Sequence, residues 1–241
     1  MGAIHHKIWL VTGTSSGFGK RLVLSILARG DCVIATARNL EKLRATFPAA
    51  ERSRLHLLQL DVSDSAEVVQ QRVREALAVW GRIDVVVNNA GYGVKAVLEE
   101  GGSLAALTQF QTNVFGVLNV TNAVLPHMRE RRSGTVVIIG SRSAWRPEVS
   151  PAGFYAASKA AVHGERHLRS SSPLPSHLTD ALRHLPPAIG ETYASELRPF
   201  GIRVLIVAPG AFRTEGVHAL LKTMDAWEDV ATDSLEVDCG L

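Results

Sequence analysis

The segment Ile8–Val11 runs directly into Thr12-Gly13-Thr14-Ser15-Ser16-Gly17-Phe18-Gly19, and an amphipathic stretch, Phe18–Arg29, follows at once. A short apolar strand, a glycine-rich turn and a helix in immediate succession leave few folds open. Glycine lets a backbone turn tightly and approach a ligand that a side chain would hold away. The helix start adds unpaired N–H groups and the positive end of a dipole, which together suit a pyrophosphate. Gly13, Ser15, Ser16, Gly17, Phe18 and Gly19 are therefore expected to bind a dinucleotide cofactor. The spacing is G-x-x-x-G-x-G rather than G-x-G-x-x-G. A plain strand–helix turn could also use such glycines, but here the strand before and the helix after are both present.

The same alternation continues along the chain. Short apolar runs at Ile8–Val11, Cys32–Ala37, Leu55–Leu60, Val85–Asn88, Thr135–Ile139 and Arg203–Val207 are rich in Val, Ile and Leu with little polar alternation. Strands buried on both faces read this way. Helical patterns lie between them at Phe18–Arg29, Leu40–Phe47, Ser65–Trp80 and Leu104–Glu130, with another beginning near Tyr155. Asp64 with Glu67 is expected to form a capping box, and Gly81 to end that helix. The implied fold is α/β: a doubly wound parallel sheet of the Rossmann type in three α-β-α layers, one domain over residues 1–241.

Two regions break the pattern. Glu165–Gly190 holds Pro173, Pro175, Pro186 and Pro187 and the run Ser170-Ser171-Ser172, and prolines end helices. The tail after Thr214 offers one helix, Val217–Trp227, and then an acidic, weakly patterned end with no further strand.

Composition bounds the function. Hydrophobic residues make up 46% and charged residues 20%, the balance of a soluble globular chain with a sizeable core. The net charge of +3 is mild and its Lys and Arg are scattered, so no nucleic-acid partner is expected. Cys32 and Cys239 show no metal spacing and imply no disulfide framework, as in a reducing compartment. His163 and His167 are four apart, but a zinc helix needs a glutamate adjacent to the first histidine, so no metal is expected. No apolar leader precedes a cleavage site and no apolar run could span a bilayer; the expectation is a cytoplasmic protein with no membrane partner.

The second strand addresses which dinucleotide. An acid at its end would hold the ribose 2′-hydroxyl of NAD; the chain reads Thr36-Ala37-Arg38 instead, and a guanidinium pairs a 2′-phosphate bidentately. NADP(H) is favoured. The alternative for Arg38 is a surface arginine at a strand end. Asp61, after the third strand, is placed to accept from the adenine amino group, or serves as a polar turn residue.

Tyr155-Ala-Ala-Ser-Lys159 sets a phenol and an ammonium at i and i+4, on one helix face. A neighbouring ammonium favours a phenolate, so the pair can act as general acid or base. Ser141 follows the strand Thr135–Ile139, where its hydroxyl could orient a substrate carbonyl or cap the next turn.

Taken together, the T-G-x-x-x-G-x-G run at residues 12–19, Asn88-Asn89-Ala90-Gly91, Asn113, Ser141, Tyr155-x-x-x-Lys159 and Pro209-Gly210 resemble the short-chain dehydrogenase/reductase family in order and spacing. The match covers roughly residues 5–163 and 191–214. The resemblance implies a Rossmann fold, NADP(H), and reduction of a ketone or aldehyde, or oxidation of the alcohol, by a Ser-Tyr-Lys-Asn mechanism. It implies that Tyr155 exchanges the hydroxyl proton, Lys159 tunes Tyr155 and holds the nicotinamide ribose, and Ser141 orients the carbonyl. It further implies that Asn113 holds a relay water, Asn89 borders the cofactor and Thr214 touches the nicotinamide amide. It allows a homo-oligomer through the long helices.

The chain departs from the family in three places. Ser141 lies fourteen positions before Tyr155 and Ser143 twelve; the family's interval falls between, which leaves both serines open, with Ser141 preferred because it directly ends the strand. About twenty-five residues look inserted within the tyrosine-bearing helix, beyond usual loop lengths. The tail after Thr214 does not read like the substrate-covering helix pair and further strand usual in the family. The alternative function is therefore a dinucleotide-binding protein with impaired or no catalysis. A serine hydrolase is disfavoured, since no G-x-S-x-G elbow is present.

Overall fold

A computed structural model describes residues 6–47, 53–145, 152–163 and 188–209. The glycine loop joins strand β1 (Ile8–Val11) to helix α1 (Gly17–Ala28). Then come β2 (Cys32–Ala37), α2 (Leu40–Thr46), β3 (Leu55–Gln59), α3 (Ala66–Trp80) and β4 (Val85–Asn88). The second half holds α4 (Leu98–Phe110), α5 (Gly116–Arg131), β5 (Gly134–Ile139), α6 (Gly153–His163), α7 (Ile189–Leu197) and β6 (Ile202–Val207). All six strands foreseen from their apolar runs are present, with ends shifted by a residue at most. The two readings of Glu165–Gly190 and the tail fall largely outside the described residues; Ile189 and Gly190 already belong to α7.

The sheet is parallel throughout, in the order β3-β2-β1-β4-β5-β6. That is the doubly wound order, with its reversal between β1 and β4, and ligands of such sheets bind in the crevice at the strands' carboxyl ends there. Alternate residues of each strand serve opposite faces. Leu10, Ile34, Val86, Val136 and Ile138 join α3, α5 and α7 residues in one core layer. Val11, Val33, Ala35, Val87 and Val137 join Val23 and Ile26 of α1 and Leu43 of α2 in the other. Both faces are covered, which is why the strands read as unbroken apolar runs. The described residues up to Ala208 belong to one compact unit.

Two local details differ from expectation. The cap of α3 is Ser65, not Asp64: its hydroxyl accepts from Val68 N at 3.4 Å, while Asp64 N donates to Asp61 O. Gly81 ends α3 as expected, at φ +74°, with its N–H on Leu77 O. The long helix read as Leu104–Glu130 is α4 and α5 joined by a π turn, Gln111–Phe115, where Gly116 N–H donates back to Gln111 O. The apolar stripe of that helix packs as expected: Val114 is buried, and Phe110 and Leu118 lie against the same core. Among the described residues no helix is long and apolar enough to cross a membrane.

Candidate active site

The glycine loop is stitched to both neighbouring strands. Thr14 N and Oγ1 both donate to Thr36 O of β2, at 2.9 and 3.1 Å. On the β4 side, Thr12 Oγ1 donates to Val87 O and accepts from Asn89 N and Ala90 N, each at 3.0 Å. Asn89 Nδ2 donates to Thr12 O at 2.8 Å and to Gly13 O at 3.0 Å. Asn89, carried over as a residue bordering the cofactor, thus also fastens the loop. Thr12, which sequence reasoning left out of the site, is its buried hub.

Gly13 sits at φ +70°, and a Cβ there would meet Ala90 Cα at 2.7 Å, so both its torsion and its space require glycine. Helix α1 starts after Ser16, whose side chain makes no capping bond, and its first turn holds no acid. Its dipole end suits an outside anion, with Ser15, Ser16, Gly17, Phe18 and Gly19 grouped there. This arrangement fits a pyrophosphate. Arg38 leaves β2 exposed, and the next residue, Asn39, caps α2 through Lys42 N; no acid stands at the strand end. Asp61 spends Oδ1 on its own turn, accepting from Ser63 N at 3.0 Å and Ser63 Oγ at 2.6 Å. Thr214 lies outside the described residues.

Helix α6 carries Tyr155 and Lys159. Lys159 is buried, and its Nζ donates to Ile139 O, the last carbonyl of β5, at 2.6 Å. Removal from water pushes its pKa down to about 8. Nζ stands 5.8 Å from the Tyr155 ring centroid. Asn113, buried in the π turn, donates through Nδ2 to Ser158 Oγ and to Tyr92 O, both at 3.0 Å, and accepts from Tyr92 N at 3.1 Å. Ser158, another residue the sequence reading missed, donates in turn to Tyr155 O at 2.8 Å. Such π turns recur at functional sites because they re-aim a side chain within a helix.

These groups converge on the irregular segment after β4. A methyl group at Gly91 would stand 3.1 Å from Asn113 Oδ1 and 3.8 Å from Lys159 Nζ; one at Gly93 would stand 3.4 Å from the Tyr155 ring. After β5, Ser141 caps a short 3₁₀ turn, Arg142–Ala144, accepting from Ser143 N at 3.1 Å and donating to Ser143 Oγ at 3.1 Å. The turn packs against α6. Ser143 is the more buried of the two hydroxyls. Arg142, between them, is exposed.

Sheet order, glycine loop and the Tyr155–Lys159 helix define the class: a Rossmann-type domain with its polar groups gathered at the switch point. The family model for short chain dehydrogenase matches residues 7–168, and the chain belongs to the short-chain dehydrogenase/reductase family, a family of oxidoreductases. It is 34% identical over 208 residues to a 3-ketodihydrosphingosine reductase of Bacteroides thetaiotaomicron, covering 86% of this chain and 65% of that protein. A crystal structure of a short-chain dehydrogenase from Streptomyces avermitilis superposes with a TM-score of 0.72 at 39% identity, covering 88% of this chain and 68% of that one. A metagenomic short-chain oxidoreductase solved in complex with NADP has a TM-score of 0.72 at 26% identity, covering 97% and 94%. The chain thus spans about two thirds of the length of relatives such as the first two.

Proposed function

We propose that this chain is an NADP(H)-dependent reductase of a ketone or aldehyde, working in either direction. The observation that carries this reading is the meeting of Asn113, Lys159 and Tyr155 at Gly91–Gly93, beside a glycine loop whose helix end carries no acid. Support for the cofactor comes from Arg38 at the end of β2 and from the NADP bound in the metagenomic relative. Support for a carbonyl substrate comes from the Bacteroides ketoreductase.

Bound NADPH would supply hydride from the nicotinamide C4. The chain's own residues do the rest. Gly13 and the α1 N-terminus, Ser15–Gly19, hold the pyrophosphate, Arg38 the 2′-phosphate, and Asp61 Oδ2 remains for the adenine. Ser141, hydrogen-bonded to Ser143, orients the carbonyl oxygen. Tyr155 Oη gives its proton to that oxygen as the alkoxide forms. Lys159 keeps the site positive and holds the ribose, and Asn113 holds a water that returns the proton from solvent. Thr214 is assigned to the nicotinamide amide by the family pattern.

The test is direct. NADPH is titrated into the protein by fluorescence, and oxidation is then followed at 340 nm with a panel of ketones and aldehydes. Binding together with turnover supports the proposal. Binding without turnover of any carbonyl compound overturns the catalytic half and leaves a dinucleotide-binding protein.

A further inference from the structure

The segment between β4 and α4 is irregular, and Gly91, Tyr92 and Gly93 lie exposed on its outer side. A stretch of backbone with no ladder partners needs other means to hold a fixed position. Here one side chain supplies much of it. Gln109, near the end of α4, is fully buried beneath the segment. Its Nε2 donates to Tyr92 O at 2.7 Å, and its Oε1 accepts from Val94 N at 2.7 Å. The amide pairs with residues 92 and 94 as a neighbouring strand's peptide would, and Gly93 between them is thereby held in place. Gly93 is the residue that lies against the Tyr155 ring.

We propose that Gln109 is a positioning residue that fixes the face on which the Tyr155 ring rests. The inference rests on the reading of Tyr155 as the proton donor, but its structural half stands on the two bonds above. Asn113 alone cannot replace it. Asn113 bonds both backbone polar groups of Tyr92, whereas among the described residues it is Gln109 that bonds the backbone on both sides of Gly93. Tyr92 Oη on Thr108 O adds an outer tether on that same side. A small displacement of a proton donor is costly, because near-attack geometry is lost over distances of about 1 Å.

The experiment uses Gln109→Met, which keeps the length and removes both bonds, with the core truncation Val120→Ala as a destabilised control. The three tyrosines are labelled as 3-fluorotyrosine, and the Tyr155 resonance is assigned by its loss in Tyr155→Phe. Gln109→Met is expected to move or broaden the Tyr155 resonance and leave that of Tyr193 in place, while Val120→Ala, in the core layer that Tyr193 shares, leaves the Tyr155 resonance in place. With a carbonyl compound the wild type reduces, Gln109→Met is expected to lose roughly 10–100-fold in kcat. NADPH affinity should change less than about twofold. The isotope effect from 4-deuterated NADPH should increase, because the chemical step becomes limiting. An unmoved Tyr155 resonance overturns the proposal whether or not the wild type turns over. A wild type that reduces nothing, with the resonance moved, overturns the reductase reading and leaves the placement of the ring by Gln109 standing.

Discussion

Lys159 Nζ donates to Ile139 O at 2.6 Å, so the cation of helix α6 is seated on the last carbonyl of strand β5 and out of water. Burial lowers its pKa from 10.5 to about 8. The depressed value belongs to a base, so the folded state penalises the charged form. The penalty is complete below pH 8 and is relieved as pH rises from there through 10.5. It amounts to about 3 kcal/mol. Lys159→Met is therefore expected to gain stability relative to wild type at neutral pH and to lose that advantage by about pH 10. Urea unfolding at a series of pH values measures it; a constant difference between the two proteins would show that Lys159 is not the titrating group. In the proposed reaction the charged lysine is the working form, so kcat/KM is expected to fall about tenfold per pH unit above pH 8.

Tyr155 is the proton donor of the proposed reaction, and its ring packs beside Gly93 rather than into the core. Tyr155→Phe removes only the hydroxyl. General acid–base catalysis contributes about 10²–10⁴-fold, so turnover should drop by at least that lower bound. NADPH affinity should survive within a few-fold, and Tm should hold. Retained turnover in stopped-flow assays would assign the proton to another group.

The fold was legible because it rests on composition repeated in alternation. Strands buried on both faces must be apolar at every position, and Val85–Val87 and Val136–Ile139 could sit comfortably nowhere else. The site was legible only in part. Tyr155 and Lys159 announce themselves because helical spacing turns a sequence interval into a shared face. Thr12, Gln109 and Ser158 do not: Thr12 and Gln109 bond backbone atoms of segments distant in sequence, Ser158 joins the Asn113 side chain to the Tyr155 carbonyl one turn earlier, and polar side chains of that kind look the same on a surface. The one available signal was the Gln109–Asn113 interval of four, and the π turn that starts at Gln111 alters what that interval means. The α3 cap was misplaced by one residue for a similar reason: Asp64 and Ser65 are both capping types, and sequence alone does not say which carries the extended backbone.

Arg38 is exposed where β2 ends and no acid replaces it, and under the proposed function it is the residue that separates two cofactors. Charge-assisted hydrogen bonds contribute about 1.5–3 kcal/mol, so Arg38→Ala should weaken NADPH about 10–100-fold. NADH should bind about as before, since it has no phosphate to lose. Paired fluorescence titrations give the ratio directly. Equal weakening of both cofactors would mean that Arg38 supports the loop and does not read the phosphate.

Thr12 offers the sharpest test of how the glycine loop is held. Its hydroxyl is buried and serves three backbone groups of β4 and the turn beyond: it accepts from Asn89 N and Ala90 N and donates to Val87 O. Thr12→Val keeps the shape and removes every one of those bonds. Asn89 N retains Val87 O as an acceptor at 3.0 Å, so the loss falls chiefly on Ala90 N. An unsatisfied buried donor costs about 1–3 kcal/mol, so the unfolding free energy should fall by that amount, read as a lower urea midpoint with an unchanged slope. Cofactor affinity should fall with it, because Ala90 is also what Gly13 packs against, so a shift of the turn displaces the loop. Thr12→Ser, which keeps the hydroxyl and drops a methyl, should restore most of both. If Thr12→Val matched the wild type in stability while Thr12→Ser fell, the methyl group rather than the hydroxyl would govern the position, and the hub would be one of packing.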